Sequence, residues 1–339
     1  MKPTAIVNLS ELDPSWNWLA PTFAERDDLS WRHVSMHSMP VPHWLPRRHT
    51  LQRISAAWAT RALLSPANSV LVSHGPRMAM YGAYVNRLRR EPARHLAYAF
   101  NFTNLPTGAN RKAMRLAFRH VEKFVVFSQM ERSLYSEYFD IPLDRIDMLH
   151  WSIAAPAVPS TQPTQAEADY ICAIGSQGRD YKTLFDAMRL IPNVKLVVVA
   201  ATENVDGLSP PSNIVVRTHI PIAQAHDIMA NSRFMILPLS GSRVPCGHVT
   251  LVSAMQFEKA IVATDSDGIS DYLADGSNGR LVAPGNPVDL ARTIEQLWAA
   301  PAVCRQMGGV GKAFAQAHCT ESRVVDYFAA FLGHAQPRI

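Results

Sequence analysis

Short apolar strands and helical segments alternate along the whole chain, and this order leaves few folds open. In the first half, strands are predicted at 5–9, 69–73, 96–100 and 123–127, with helices at 51–64, 78–90 and 111–120. The pattern restarts in the second half, with strands at 170–174, 195–200, 214–217, 234–237 and 260–264. Such alternation is typical of parallel sheets with helices on both faces. The sequence therefore predicts an α/β fold with two doubly wound, Rossmann-like sheets of about six strands each.

A segment rich in Pro, Ser, Thr and Gln, residues 156–168, predicts a linker between the two halves. The N-terminal domain is then expected at 1–155 and the C-terminal domain at 169–318. Residues 319–339 contain an amphipathic pattern from 321 to 332, which predicts a helix that packs back toward the N-terminal domain. Two such domains are expected to face a central cleft, where ligands commonly bind.

Composition indicates a globular protein of the cytoplasm. Of the 339 residues, 47% are hydrophobic and 18% charged. No apolar run reaches the length of about eighteen residues that would predict a membrane span, and the first residues do not resemble a signal peptide. The four cysteines form no CxxC pair, and prolines interrupt the segment that holds His33, His37, His43 and His49. We therefore expect neither a disulfide framework nor a metal site.

Positive charge is concentrated between residues 77 and 123, where ten Lys or Arg residues face only Glu91 and Glu122. Such a patch suits an anionic partner. Nucleic acid is not expected, because the patch lacks the interleaved aromatic residues of single-strand binders and no zinc-finger or RNP pattern occurs. An anionic membrane surface, a lipid pyrophosphate and a plain solvated helical face all remain compatible with the pattern.

Two loops of the second half have the composition of an anion site. The loop that contains Cys246 and Gly247 runs into an apolar helix predicted at 249–257, whose first N–H groups and positive dipole end suit a diphosphate. The turn at 175–183 follows a strand and opens a helix, so that Ser176, Arg179 and Lys182 are predicted to gather around phosphate oxygens.

Neither of two other glycine patterns indicates a nucleotide site. No GxGxxG fingerprint is present, which disfavours a nicotinamide cofactor. The GGVGK segment at 308–312 has Gln306 where a P-loop has its first Gly and Ala313 where a P-loop has Ser or Thr. We therefore expect a helix break at this segment rather than a phosphate loop.

The second half resembles the GT-B glycosyltransferases, and in particular the group 1, family 4-like enzymes related to sucrose synthase and the bacterial mannosyltransferases. The resemblance covers most of residues 170–315. It is carried by GRDYKTL at 178–184, NIVVRTHIP at 213–221, FMILPL at 234–239, VSAM at 252–255, KAIVATDSDGI at 259–269 and DGSNGRLVAPG at 275–285.

This resemblance implies a nucleotide-sugar donor, such as a UDP- or GDP-sugar, as co-substrate, with no further cofactor and no metal. Arg179 falls where the family keeps a basic residue on the diphosphate, and Thr218, His219 and Ile220 fall on the loop that contacts the base. The full donor set implied is Gly175, Ser176, Arg179, Lys182, Thr218, His219, Ile220, Cys246, Gly247, His248, Val249, Thr250 and Ser253.

The family also places two Glu residues eight positions apart around the glycine loop, and this sequence departs from that pattern. Aligned on Gly247, the two positions hold Val244 and Val252; aligned on the AM pair at 254–255, they hold Pro245 and Ser253. Ser253 is a candidate to hydrogen-bond the ribose in place of Glu, and His248 is a candidate to reach the phosphates or the sugar.

In the first half, strand ends supply the candidate acceptor-side and catalytic residues. His74 follows an apolar strand, and Asn101 lies between two Phe whose rings are expected to pack behind it. Glu11 and Asp13 follow the first strand, where a carboxylate is placed to remove a proton from an acceptor hydroxyl. The same residues also fit a packed strand-end imidazole and solvated loop carboxylates.

The function predicted is transfer of a sugar from a nucleotide sugar to a glycan or lipid-linked acceptor in bacterial surface-polysaccharide synthesis. Departing diphosphate would be stabilised by Arg179, Lys182 and the N–H groups near Gly247, and the protein would be cytoplasmic with peripheral contact to an anionic membrane. Two alternatives remain: a catalytically silent GT-B protein that binds nucleotide sugar or glycan, motivated by the missing Glu pair, and a sugar-nucleotide epimerase.

Overall fold

The computed structural model describes residues 4–13, 29–64, 69–154, 170–241 and 247–332. These residues form two compact units. The first runs to Leu149 and resumes at Val325, and the second runs from His150 to Val324. The linker predicted at 156–168 lies outside the described residues.

The first unit holds a six-stranded parallel sheet within its described residues, in the order β2-β1-β3-β4-β5-β6. Its strands are β1 (Thr4–Ser10), β2 (Leu29–Ser35), β3 (Ser69–His74), β4 (Arg94–Tyr98), β5 (Lys123–Val126) and β6 (Ile146–Met148). Its helices are α1 (Arg48–Leu63), α2 (Pro76–Arg87), α3 (Gly108–Phe118) and α4 (Gln129–Phe139).

The second unit also holds a six-stranded parallel sheet in its described part, in the order β12-β11-β10-β7-β8-β9. Its strands are β7 (Tyr170–Ile174), β8 (Lys195–Val199), β9 (Ile214–Arg217), β10 (Met235–Leu237), β11 (Ile261–Thr264) and β12 (Arg280–Val282). Its helices are α5 (Tyr181–Leu190), α6 (Thr202–Val205), α7 (Ile222–Ala230), α8 (His248–Gln256), α9 (Pro287–Trp298) and α10 (Pro301–His318). Helix α11 (Glu321–Leu332) follows α10.

Each sheet is covered by apolar residues on both faces, as expected for strands of continuous hydrophobic sequence. In the second unit, separate clusters of buried side chains lie around Ile171 and Leu184 and around Leu237 and Leu251. The predicted α/β fold of two Rossmann-like parallel-sheet domains is confirmed.

Several local predictions differ from the structure. The strand predicted at 96–100 ends at Tyr98, because Ala99 turns the chain with a φ of 51°. After Gly268 the chain forms a short 3-10 turn, Ile269–Asp271. The expected break at 308–312 is wrong, since α10 continues through it from 301 to 318. Because Gly308 has no side chain, this helix packs directly against the backbone carbonyl of Glu258.

Helix α11 contributes aromatic packing to the first unit. Phe328 is buried, and its ring centroid lies 5.4 Å from that of Tyr98 and 6.4 Å from that of Trp31. The Tyr327 hydroxyl donates a 2.7 Å hydrogen bond to Asp147. This helix is predicted from sequence at the same residues, 321–332.

Glu131 is a buried carboxyl group at the start of α4. Its backbone N–H donates to Oγ of Ser128, while its own carboxylate accepts from the Phe127 N–H and the Ser128 hydroxyl, which is a capping box. Tyr135 donates a further bond to it. Burial nevertheless raises the pKa of Glu131 to about 7, against the lowering effect of these bonds.

We expect Glu131→Gln to remove one pH-dependent part of the stability. Since the folded pKa lies above the ordinary value of 4.5, the carboxyl group stabilises the fold below pH 4.5, and this contribution is lost as pH rises through about 7. Between pH 5 and 8 the free energy of unfolding of the wild type should fall by on the order of 2 kcal/mol more than that of the variant. Urea unfolding at several pH values measures this difference. Glu137→Gln, on the exposed side of the same helix, is the control and should leave the slope unchanged.

Candidate functional site

The carboxyl ends of three neighbouring strands are tied together in the second unit. After β7, the turn at 175–180 pairs with the loop after β10: the Asp180 N–H donates to the Pro238 carbonyl at 2.9 Å, and the Ser240 N–H donates to the Gly178 carbonyl at 3.0 Å. The Leu239 N–H donates to Oγ1 of Thr264 at the end of β11. Ligands of parallel α/β sheets bind at this edge.

Arg179 occupies the centre of this edge. Its Nη1 donates to the Gln177 carbonyl at 2.8 Å, and its Nη2 lies 3.3 Å from the Ile174 carbonyl and 3.2 Å from Oγ1 of Thr250. These bonds hold the guanidinium between the end of β7 and the first turn of α8. A fixed guanidinium presents a planar set of donors to phosphate oxygens.

Two glycines make room for this guanidinium. A Cβ on Gly175, whose φ is 123°, would lie 2.4 Å from Nη2 of Arg179. A Cβ on Gly247, whose φ is 89°, would lie 3.1 Å from Nη1 of Arg179 and 3.2 Å from Cδ1 of Leu237. The turn after β7 and the start of α8 therefore approach Arg179 as closely as glycine allows.

Helix α8 begins at His248, directly after Gly247, and no side chain among the described residues caps it. Its first N–H groups have no intrahelical acceptors, as at any helix start, and the positive dipole end lies next to Arg179. Thr250 in the first turn bonds Arg179, and Val249 is exposed. Cys246, Pro245 and Val244 lie outside the described residues.

His248 is buried beside the tyrosine that follows β11. Its ring centroid lies 4.8 Å from that of Tyr272, whose hydroxyl accepts the Trp151 N–H, and His150 packs edge-on against the same tyrosine. Burial lowers the pKa of His248 to about 4, with smaller contributions from His150 and Arg179, so this imidazole is neutral near pH 7. Within the described residues Nε2 of His248 has no hydrogen-bond partner.

Other predicted donor residues have structural partners. The Ser176 hydroxyl accepts the Ala201 N–H at 2.9 Å. Lys182 lies on the outer side of α5, 76% exposed, in an ion pair with Asp186. Ser253 is buried and donates to the Val249 carbonyl of its own helix at 2.8 Å. The Thr250 hydroxyl, by contrast, accepts a bond from Arg179.

The loop after β9 carries the predicted base-contacting residues. Thr218 is half-buried, and Ile220 packs against the apolar cluster beneath α8. His219 is exposed, with a φ of 55°, and its Nε2 lies 3.0 Å from Oγ1 of Thr202. This loop follows the edge strand of the sheet, two strands from β7.

In the first unit, His74 ends β3 and is buried. Its ring packs edge-on against Tyr98 at 5.3 Å between centroids. Burial, with a smaller effect from His33, lowers the pKa of His74 to about 4. The imidazole is therefore neutral near pH 7 and lies at the carboxyl edge of its sheet.

The two candidate carboxylates differ in their surroundings. Arg53 donates to both carboxylate oxygens of Glu11, at 3.0 and 2.9 Å, and Asp13 is exposed. Asn101 is also exposed, while Phe100 and Phe102 on either side are buried and pack against each other at 5.4 Å. The placement of the two rings behind Asn101 follows the prediction.

Charges of the patch at 77–123 are partly compensated by acidic groups. Arg94 pairs with Glu122, Arg115 with Asp140, and Lys123 with Asp147.

No group of three His, Cys, Asp or Glu side chains that could hold a metal ion occurs among the described residues. None of the helices in the described part of the chain is both long and apolar enough to cross a bilayer.

Sequence reasoning missed three groups that shape this site. Thr264 ties the β10 loop to β11, Tyr181 donates to the Gly175 carbonyl and fixes the turn, and Tyr272 supports His248. The first two act through backbone atoms of other loops, which no short motif reveals. Tyr272 lies within residues 170–315, where the resemblance holds, but outside the motifs that carry it.

Solved structures with the GT-B fold match this chain over nearly its whole length. Sucrose-phosphate synthase from Thermosynechococcus elongatus has a TM-score of 0.74 at 14% identity and covers 97% of this chain and 98% of its own. Anabaena HepE in complex with UDP and glucose has a TM-score of 0.73 at 13% identity and covers 97% and 99%. The chain has the GT-B fold of these structures.

The sequence comparisons identify a family and two relatives that this chain resembles. Residues 169–300 match the family described as Glycosyl transferases group 1, as the resemblance predicted. EpsD of Bacillus subtilis (strain 168) is 32% identical over 88 residues, or 25% of this chain. The lipopolysaccharide core biosynthesis glycosyltransferase LpsE of Rhizobium meliloti (strain 1021) is 28% identical over 139 residues, or 40% of this chain. The matches span 23% and 41% of the lengths of these two relatives.

Proposed function

We propose that this protein transfers a sugar from a nucleotide sugar to a glycan or lipid-linked acceptor. The observation that carries the proposal is the Arg179 guanidinium, fixed between the turn after β7 and the first turn of α8. The family match of the second unit and the polysaccharide role of LpsE support this activity over a binding-only protein or an epimerase. The complex of HepE with UDP and glucose supports a nucleotide-sugar donor.

In this proposal the diphosphate lies across Arg179 and the N-terminus of α8. As the bond from the sugar to the diphosphate breaks, negative charge builds on the leaving phosphate. Arg179 and the first N–H groups of α8 already point at one edge of the sheet, so they stabilise that charge without rearranging. The proposal includes no metal ion and no further cofactor.

His248 is an uncharged residue of the same proposed site. With a pKa of about 4, its imidazole remains uncharged in the pH range where most enzymes work, so it contributes a hydrogen bond rather than a charge. Its Nε2 has no partner among the residues that the structure describes, which makes it the candidate to bond an oxygen of the sugar donor where the family's first Glu is missing.

The acceptor is proposed to be recognised by the first unit. His74, buried at the end of β3, is the candidate to take the proton of an acceptor hydroxyl. Its pKa of about 4 keeps the imidazole neutral, although it also makes the ring a weak base. Asn101, which follows β4, is exposed. Glu11 is less free to take this proton, because both of its oxygens accept bonds from Arg53. A cytoplasmic location with peripheral contact to an anionic membrane belongs to the same proposal.

Donor turnover tests this function without knowledge of the acceptor. The protein should release a nucleoside diphosphate slowly from at least one UDP-, GDP- or ADP-sugar, with water as acceptor. Binding without any release over many hours would support the binding-only alternative. Formation of an epimerised nucleotide sugar with no free diphosphate would support the epimerase.

We expect Gly247→Ala to weaken donor binding about tenfold, because its Cβ would press on Nη1 of Arg179 and move the guanidinium. Gly285→Ala is a matched control: its φ is also positive, at 66°, but nothing lies within 4 Å of the added Cβ. Both variants should lose about 1 kcal/mol of stability from backbone strain. Calorimetric titration with a nucleotide sugar should therefore separate them, and equal affinities would contradict the close approach of Gly247 to the donor site.

A further inference from the structure

Helix α1 in the first unit has its large apolar side chains on the wrong side for an ordinary surface helix. The side that faces the protein consists of small or polar residues, Gln52, Ala56, Ala57 and Thr60, all buried. The opposite side carries Leu51, Ile54 and Trp58 at spacings of three and four residues, exposed by 38%, 43% and 55%. A surface helix normally buries its apolar stripe.

Trp44 is a second exposed tryptophan close to this helix in sequence. It precedes α1 and is 72% exposed, which is the highest exposure among the large apolar residues of the described chain. We call Trp44, Leu51, Ile54 and Trp58 the tryptophan face. Exposed tryptophans at this density indicate a surface that contacts something other than water.

The stretch of sequence that carries the tryptophan face has charged side chains of one sign. From residue 29 to residue 90 the sequence contains nine Arg and no Asp or Glu. Arg47, Arg48 and Arg61 flank the face, and the Arg61 guanidinium lies over the Trp58 ring at 4.6 Å from its centroid. Arg53 points the other way and is bonded to Glu11, so its charge is compensated within the unit.

We propose that the tryptophan face docks on an anionic lipid bilayer. Tryptophan is favoured at the boundary between headgroups and acyl chains, where its ring is apolar and its N–H stays hydrated. Leu51 and Ile54 then enter the upper acyl region, and the flanking arginines meet lipid phosphates. A second copy of this chain fits poorly, because its face would bring arginines against arginines.

This inference concerns a surface outside the donor site, and it differs from the patch at 77–123. Several charges of that patch are compensated by Glu122, Asp140 and Asp147, and its helix α3 exposes one large apolar residue, Leu116. The tryptophan face combines apolar anchors with Arg47, Arg48 and Arg61, which form no ion pair with the described residues, and this is the composition of an interfacial helix. It stands whether or not sugar transfer is confirmed.

Vesicle flotation with the full chain tests the proposal. The protein should float with vesicles of phosphatidylglycerol and phosphatidylcholine in equal parts, and much less with phosphatidylcholine alone. Trp58→Gln combined with Ile54→Gln should lower the partition coefficient about tenfold. Replacing Arg47, Arg48 and Arg61 with glutamine should lower the partition coefficient about fivefold for each arginine at low salt.

Matched variants keep the test specific. Leu143→Gln removes another exposed apolar residue of the first unit, and Arg90→Gln with Arg119→Gln removes charge from the patch at 77–123; neither change should alter flotation more than about twofold. All variants should keep the wild-type circular dichroism spectrum. Equal flotation of the tryptophan-face variants and wild type, or a larger loss in the Arg90 and Arg119 variant, would overturn the proposal. So would a lipid-independent dimer that Trp58→Gln dissociates.

Discussion

Arg179→Ala should reduce kcat/KM for the nucleotide sugar by about a hundredfold to a thousandfold, the usual effect of removing one fixed donor from a site of developing negative charge. The structure gives the reason: two carbonyl groups and the Thr250 hydroxyl hold the guanidinium in place before any ligand binds. The alanine variant loses both the charge and the planar set of donors. Steady-state release of the nucleoside diphosphate measures the effect.

Two further variants define what Arg179 contributes. Arg179→Lys keeps a positive charge but not the planar fork, so its activity should fall between those of the alanine variant and the wild type. Arg292→Ala removes an exposed arginine on α9 that pairs with Asp289, and it should leave kcat/KM unchanged. A folded Arg179→Ala protein that retains kcat/KM within threefold of wild type, a margin of about 0.7 kcal/mol, would remove Arg179 from the donor site.

Gly308→Ala should destabilise the second unit by about 3 kcal/mol, near the upper end of typical overpacking effects. Its Cβ would lie 2.1 Å from the carbonyl oxygen and 2.7 Å from the carbonyl carbon of Glu258. These are backbone atoms of a residue already held at a φ of 59°, so they cannot move aside as a flexible side chain would. Thermal unfolding should show a melting temperature about 10 °C lower.

Alanine at the neighbouring glycine, Gly309, should raise the stability instead of lowering it. Gly309 lies on the same helix, half-exposed, and its Cβ would meet only Oε1 of Glu258 at 3.8 Å. Since alanine is the better helix former, Gly309→Ala should raise stability by about 0.5 to 1 kcal/mol. Comparable changes in melting temperature for the two variants would show that α10 does not pack closely on Glu258.

Much of the fold follows from the sequence because most strands are short apolar runs between turn-forming residues. Strands β1, β3, β7 and β9 lie within a residue of their predicted positions. Strand β2, with Trp31, Arg32 and His33 along it, was not predicted, because it is polar enough to read as a loop. Strand β12, at three residues, gives no periodic signal at all.

The buried side of a helix was harder to predict than its existence. Helix α1 is expected from the sequence at nearly its observed position, but its inward side is formed by alanine, glutamine and threonine. A pattern of apolar residues would place Leu51, Ile54 and Trp58 inside, because hydrophobic periodicity cannot distinguish a core from a docking surface. Only the packing of α1 on its sheet shows which side is exposed.

The residues predicted to bind a donor can be located in the structure, but their role in donor binding stays a prediction. Arg179, Gly175 and Gly247 lie together because the carboxyl ends of parallel strands meet at one edge of the sheet. Lys182 and Ser253 have partners of their own, in Asp186 and the Val249 carbonyl. Such competing bonds depend on side-chain direction within a helix turn, which a sequence motif does not specify.

Calorimetric titration of the full-length protein with UDP-, GDP- and ADP-sugars tests the central claim most directly. A site formed by Arg179 and the start of α8 should give saturable heat with at least one of these donors, and the heat should disappear in a folded Arg179→Ala variant. Absence of heat with every donor, or undiminished heat in that variant, would contradict a nucleotide-sugar site at this edge of the sheet.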